Sequence, residues 1–216
     1  MTVWAARTVT PVPPTGHVAV LIPVKRFGAA KGRLSGLLVG AQRAELARWL
    51  ADRVIAAAAG LPTFIACDDD EVASWADGVG AEVLWSPGLG LNGAVDVGRS
   101  TVAGKGFDHL VIAHSDLPLA SDLAGLVTPG TVCLVPDRRR DGTNVMALPV
   151  GARIAAAYGG GSFSRHLDQA MQTGLRVELR ADPRLAIDVD NPDDLAHPAV
   201  EPILPPWLRT ILANRR

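Results

Sequence analysis

Three features of the 216-residue sequence predict a single α/β domain, a three-layer α/β/α sandwich around a mostly parallel sheet. Valine- and isoleucine-rich apolar runs recur along the chain, helical patterns lie between them, and the length suits one domain with a sizeable core. Hydrophobic residues make up 48% and charged residues 20% of the chain, and the formal net charge is -1. That balance offers no overall attraction to nucleic acid or to an anionic membrane, which leaves a small molecule as the default partner.

Residues 18–24 (VAVLIPV) read as a strand buried on both faces, and residues 42–59, with Leu46, Trp49, Leu50, Arg53, Val54 and Ala57 at helical spacing, as the crossover that a parallel strand requires. Strands follow at 63–67, 81–85 and 109–113, with helices expected at 70–77, 92–103 and 121–127. The pattern then changes: 132–135 and 145–148 flank the polar turn 137–143, so an antiparallel excursion is expected there. A helix at 164–173, a strand at 175–179 and a last strand at 185–189 complete the domain, which is bounded at 17–197.

Outside those bounds, residues 1–16 read as a disordered lead-in whose prolines replace the apolar helix of a signal peptide. Residues 198–216 read as a tail with a short amphipathic segment at 207–212, packed on the domain or on a second subunit of a homodimer. No stretch approaches the roughly 18 apolar residues needed to span a bilayer. Cys67 and Cys133 lack partners at zinc-ligand spacing and make no disulfide framework, so a reducing cytoplasm is the expected compartment.

Ligands of open α/β sheets sit beyond the carboxyl ends of the strands. Directly after the first strand, Lys25-Arg26-Phe27-Gly28-Ala29-Ala30-Lys31-Gly32-Arg33 gathers two of the chain's three lysines. Small residues between the cations let the backbone approach a ligand, and Lys25, Lys31 and Arg33 can neutralise a triphosphate. No Gly-Lys-Ser/Thr opens a helix here, so this is not a Walker A loop; the alternative is an ordinary solvated loop. Asp116 closes the fourth strand, and Asp188 and Asp190 close the last with Val189 between them, which places both carboxylates on one side of the chain. Together the three are candidates to hold magnesium against triphosphate oxygens, with helix capping as the competing role for Asp116 and Asp190.

Gly88-Leu89-Gly90-Leu91-Asn92-Gly93 matches the G-x-G-x-x-G dinucleotide fingerprint, but in the third strand-helix unit rather than the first. Gly90, Leu91 and Asn92 are instead candidates to press backbone groups against a nucleobase, or Asn92 to cap a helix. The turn 159–162 can form an anion-binding nest from its amides. Arg138, Arg139 and Arg140 read as a solvated turn and His166 as a structural residue of its helix.

Taken in order, Ile22-Pro23-Val24-Lys25, Ala30-Lys31-Gly32-Arg33-Leu34, Gly90-Leu91-Asn92, Ser115-Asp116-Leu117-Pro118, Asp141-Gly142-Thr143-Asn144, Gly161-Ser162-Phe163-Ser164-Arg165-His166 and Ile187-Asp188-Val189-Asp190 resemble the CofC/FbiD guanylyltransferases of coenzyme F-420 biosynthesis over about residues 18–195. The resemblance implies a nucleotide-diphospho-sugar-transferase-like fold and transfer of GMP from GTP to phosphoenolpyruvate or 2-phospho-L-lactate, with release of pyrophosphate. It also implies that Thr143, Gly159 and Ser162 contact the acceptor and that Asp116, Asp188 and Asp190 hold Mg2+. Gly32 departs from the threonine or serine common in relatives. The lysine-poor composition suggests a GC-rich genome and favours phosphoenolpyruvate. Competing readings are a molybdopterin-type nucleotidyltransferase, a glycosyltransferase and a non-catalytic GTP-binding protein.

Overall fold

The computed structural model describes residues 17–214; the lead-in expected at 1–16 lies outside them. Seven strands form one sheet in the order β3-β2-β1-β4-β6-β5-β7. They are β1 (Val18–Pro23), β2 (Thr63–Cys67), β3 (Glu82–Trp85), β4 (His109–Ala113), β5 (Thr131–Pro136), β6 (Thr143–Pro149) and β7 (Arg176–Leu179). Only β6 runs against the rest, antiparallel to both β4 and β5. It is the excursion expected from the polar turn after β5. Among the described residues six helices accompany the sheet: α1 (Gly40–Ala57), α2 (Asp70–Gly78), α3 (Gly90–Gly104), α4 (Ser162–Gln172), α5 (Pro192–Leu195) and α6 (Pro206–Ala213).

Alternation along the strands divides the core into two layers. Val18, Val20 and Ile22 of β1 pack with Ala47, Ala51 and Val54 of α1 and Val72 and Trp75 of α2. Ala19 and Leu21 pack on the opposite face with Ala94, Val95 and Val102 of α3 and Phe163 and Ala170 of α4. A side chain on either face of a central strand is thus buried, which is why the strands read as unbroken apolar runs. Close approach of α3 to β1 depends on Gly98, where a Cβ would lie 2.8 Å from Leu21 Cδ2. The second face of α1 (Leu46, Leu50) covers a third cluster with Leu34, Leu38, Ile187, Val189, Val200, Leu204 and Leu208. The tail therefore packs on the domain itself.

Two expected elements are absent. The helix at 121–127 is reduced to one 3-10 turn, Ala124–Leu126, because Asp122 adopts φ 44° and its Oδ1 accepts from Gly125 N (3.0 Å), a local bond that competes with helical pairing. Residues 185–189 form no strand. β4 already has β1 and β6 as neighbours and β5 has β6 and β7, so no interior edge is left for them. Their alternating apolar side chains serve packing instead, with Leu185 in the first core layer and Ile187 and Val189 in the third cluster. Asp188 and Asp190 consequently sit on a segment outside the sheet, whose backbone bonds include Val189 N to Asp116 O (3.1 Å) and Arg138 N to Ala186 O (3.0 Å).

Candidate active site

Two adjoining clefts, each of about 550 Å³, open at the carboxyl edge of the sheet. The first is lined by Ala66 and Cys67 at the end of β2, Ser86 just after β3, Gly90 and Leu91 at the start of α3, and His114 after β4. The second lies under the basic loop, where Phe27, Lys31 and Arg33 face Asp190. Lys25, Ser115 and Asp116 border both. β1 and β4 supply this shared edge because β2 pairs on one side of β1 and β4 on the other, the point at which the connections diverge.

Lys31 is the hub of the second cleft. Its backbone takes the left-handed conformation (φ 55°, ψ 38°) between two 3-10 turns, Phe27–Ala29 and Gly32–Leu34. This bend sends a side chain only 8% exposed toward Asp116 Oδ2 (2.7 Å) and Asp190 Oδ1 (3.5 Å). Burial alone would pull the ammonium pKa down, but the charge and hydrogen bond of Asp116, supported by Asp190 and Asp188, outweigh it and leave the value above that of ordinary lysine. Burial pushes the Asp116 carboxyl up, yet Lys31 and His114 prevail and hold it below the usual range. Arg33 is exposed and meets Asp190 Oδ2 at 3.3 Å.

Among the described residues Asp188 makes no ion pair. Burial first, and the neighbouring Asp116 charge second, push its pKa up to about 6. The segment is braced by Asp194 at the start of α5, which accepts from Asp190 N (2.8 Å) and Asn191 N (2.9 Å) through Oδ2 and from Arg138 through Oδ1. Arg138 is therefore not part of a solvated turn. Its partner lies 56 positions away in sequence, a separation at which no local pattern signals the pair.

The expected nucleobase residues divide. Gly90 and Leu91 line the first cleft, whereas the Asn92 side chain turns to the backbone of Tyr158, accepting from its N–H (2.7 Å) and donating to its C=O (3.4 Å). α3 begins at Gly90, so Asn92 is no cap. Thr143 and Ser162 are buried: Thr143 N donates to Ser162 Oγ (3.1 Å), and Thr143 Oγ1 lies 3.0 Å from His166 Nδ1. Because His166 Nε2 accepts from Ala157 N (3.0 Å), its proton sits on Nδ1 and is donated to Thr143. Gly159 is exposed at the start of the glycine turn, and Asp141 Oδ1 holds the far end through Gly161 N (3.0 Å). None of Thr143, Gly159 and Ser162 lines either cleft; the two hydroxyls are buried behind the exposed glycine turn. His114, which the motif reading left out, lines the first cleft with Nε2 lacking a hydrogen-bond partner, as does the buried Asp116 Oδ1.

A cleft floored by cations and a second with a largely apolar floor, meeting on one aspartate, suit a nucleotide laid with its phosphates in the former and its base in the latter. Fold and site thus define a nucleotidyltransferase. The chain belongs to the family of CofC-like guanylyl transferases, whose sequence profile matches residues 18–200. It is 37% identical over 185 residues to the phosphoenolpyruvate guanylyltransferase of Sphaerobacter thermophilus, spanning 81% of this chain and 89% of that one. It is 29% identical over 182 residues to the 2-phospho-L-lactate guanylyltransferase of Methanocaldococcus jannaschii, covering 82% and 80% respectively. Among solved structures, a Desulfovibrio desulfuricans G20 protein provisionally described as a nucleotide-diphospho-sugar transferase superposes with a TM-score of 0.69 at 18% identity, over 92% of this chain and 94% of that one. This likeness places the fold in the class that the motifs implied.

Proposed function

We propose that the protein transfers GMP from GTP to the phosphate of phosphoenolpyruvate. The observation that carries this reading is the pair of clefts meeting at Asp116, in a chain whose family is guanylyl transferases. Phosphoenolpyruvate is favoured over 2-phospho-L-lactate because a relative named for the former is 37% identical and one named for the latter 29%.

An acceptor phosphate oxygen attacks the α-phosphorus of GTP in line. One P–O bond forms, the bond to the β-phosphate oxygen breaks, and pyrophosphate leaves. The acceptor phosphate is already ionised, so no strong base is needed; positioning and charge neutralisation carry the rate. Lys25, Lys31 and Arg33 offset the charge of the departing pyrophosphate, with Lys31 exchanging part of its contact with Asp116 and Asp190 for phosphate oxygens. The 159–162 turn receives the acceptor, with Thr143 and Ser162 holding its shape from behind.

Magnesium is bound through hard oxygen donors, commonly one or two carboxylates completed by substrate phosphates. Among the described residues no three acidic, histidine or cysteine side chains form a ready cage. Asp116, whose buried Oδ1 has no protein partner, and Asp190, which shares Lys31 with it, fit the partial set, with Asp188 beside them. When bound, the ion would supply charge neutralisation between the reacting phosphates. The test is a mass-spectrometric assay with GTP, magnesium and each acid in turn. A guanylylated phosphoenolpyruvate with stoichiometric pyrophosphate is expected; GTP binding without pyrophosphate release in the presence of either acid would leave a binding protein, and preference for another nucleotide would overturn the guanine assignment.

A further inference from the structure

The side chains of α3 hold the glycine turn from a distance. Asn92 grips both backbone polar groups of Tyr158, Asp96 Oδ1 accepts from Ala156 N (2.9 Å), and Arg99 Nη2 donates to Ala152 O (2.6 Å). The spacing 92, 96, 99 places all three on one face of the helix. Residues 152–158 belong to no helix or strand, so this row of side chains supplies the bonds that a neighbouring strand would otherwise provide. Tyr158 is further fixed between the His114 ring (centroids 5.1 Å apart) and the His166 ring (4.8 Å).

Immediately after Tyr158 come three glycines, of which Gly159 (φ 112°) and Gly161 (φ 70°) occupy conformations that side-chain-bearing residues rarely adopt. Such a turn keeps much conformational freedom unless both ends are anchored. Asp141 anchors the Gly161 end, and Arg165 Nη1 donates to Gly160 O (2.7 Å). Asn92 holds the Gly159 end through Tyr158, alongside Ser162 N donating to Gly159 O (3.0 Å) and the bonds of Arg165 Nη2 and His166 Nε2 to the Ala157 backbone. On the same helical turn as Asn92, Gly90 and Leu91 line the first cleft. One turn of α3 therefore lines the first cleft with Gly90 and Leu91 and, through Asn92, holds Tyr158, the residue before the glycine turn.

We infer that Asn92 is a positioning residue for the acceptor: it sets the acceptor turn through Tyr158 and joins that turn to the nucleotide cleft, and it does not read the base. The inference rests on the assignment of the 159–162 turn to the acceptor. A nucleotide packed on Gly90 and Leu91 restrains the first turn of α3, and through Asn92 it restrains residues 156–162.

Asn92→Ala and Asp96→Ala, the latter outside both clefts, test this with pyrophosphate release and hydrogen exchange read on the same samples. In both variants the acceptor KM should rise about ten-fold, the loss of one to two hydrogen bonds, while GTP KM and the GTP Kd from calorimetry stay within two-fold or so of wild type. Asn92→Asp keeps the acceptor for Tyr158 N–H and should recover most of the loss. Amides of 156–162 should exchange faster in Asn92→Ala, and GTP should slow them in wild type but not in the variant. A raised GTP KM with an unchanged acceptor KM would return Asn92 to the base, and a general loss of protection across the sheet would reduce it to a packing residue; either overturns the inference. Should wild type form no product with either acid, the assignment of function fails, while faster local exchange in Asn92→Ala still separates an intact latch from a refuted one.

Discussion

At the scale of the residue, Lys31 holds the least comfortable backbone of the site and its most demanding electrostatics. A left-handed non-glycine residue costs on the order of 1–3 kcal/mol, and here it persists because two carboxylates fix the ammonium. Lys31→Met keeps the side chain's bulk and removes the charge. It should raise the GTP KM by roughly ten-fold or more with a much smaller effect on the acceptor KM, as expected for one charge-assisted contact to phosphate. A rise confined to the acceptor would assign the loop to the wrong substrate. For Asp116→Asn, turnover should fall by on the order of a hundred-fold or more even at saturating magnesium, since a charged group at the meeting point of the clefts is lost. Circular dichroism should show an unchanged fold because Lys31 keeps Asp190; near-normal turnover would remove Asp116 from the chemistry. Lys31, Arg33 and Asp116 could be picked out from the sequence because each follows a strand. The Arg138–Asp194 pair and the contact of Asp141 with Gly161 could not, because only folding brings those partners near.

Elements are fixed by how closely they approach. α3 rests on β1 where Gly98 meets Leu21, a buried side chain with little room to move. Gly98→Val should therefore lower stability by about 1–3 kcal/mol through overpacking. It should also displace the cleft wall at Gly90 and Leu91, so that GTP Kd rises together with the fall in melting temperature; a variant as stable as wild type would show that the two elements can separate without cost. The helices and strands that contact both core layers were legible from apolar spacing. The expected strand at 185–189 was misread because alternation reports which side chains are buried, not whether a hydrogen-bonding edge is free.

For the whole molecule, His166, bonded to Thr143 and to the Ala157 backbone behind the glycine turn, contributes to acid stability. Burial, with Arg165 and His114 nearby, pushes its pKa down to about 4 from 6.5. The unfolded chain therefore takes up a proton from about pH 6.5 downward while the native protein does not until about pH 4. The stability this group contributes is complete above pH 6.5 and declines as the pH falls to about 4, by on the order of 3 kcal/mol. His166→Gln should flatten that part of the stability profile measured by urea unfolding; an unchanged slope between pH 6.5 and 4 would show that the ring is not held neutral.

By itself the sequence determined the α/β class, the succession along the chain of the strands that are buried on both faces, and the cations and Asp116 that follow two of them. Each of these follows from local rules: apolar period, charge placed after a strand, and glycine where the backbone must bend. Only the tertiary structure decided that Lys31 lies between Asp116 and Asp190, that Arg138 braces Asp194, and that Asn92 faces Tyr158 rather than a cleft. The partners in these contacts are 85, 159, 56 and 66 positions apart. Over such separations a polar side chain chooses among all the groups that the sheet brings within about 3 Å, and that choice is made by topology, which no local pattern encodes.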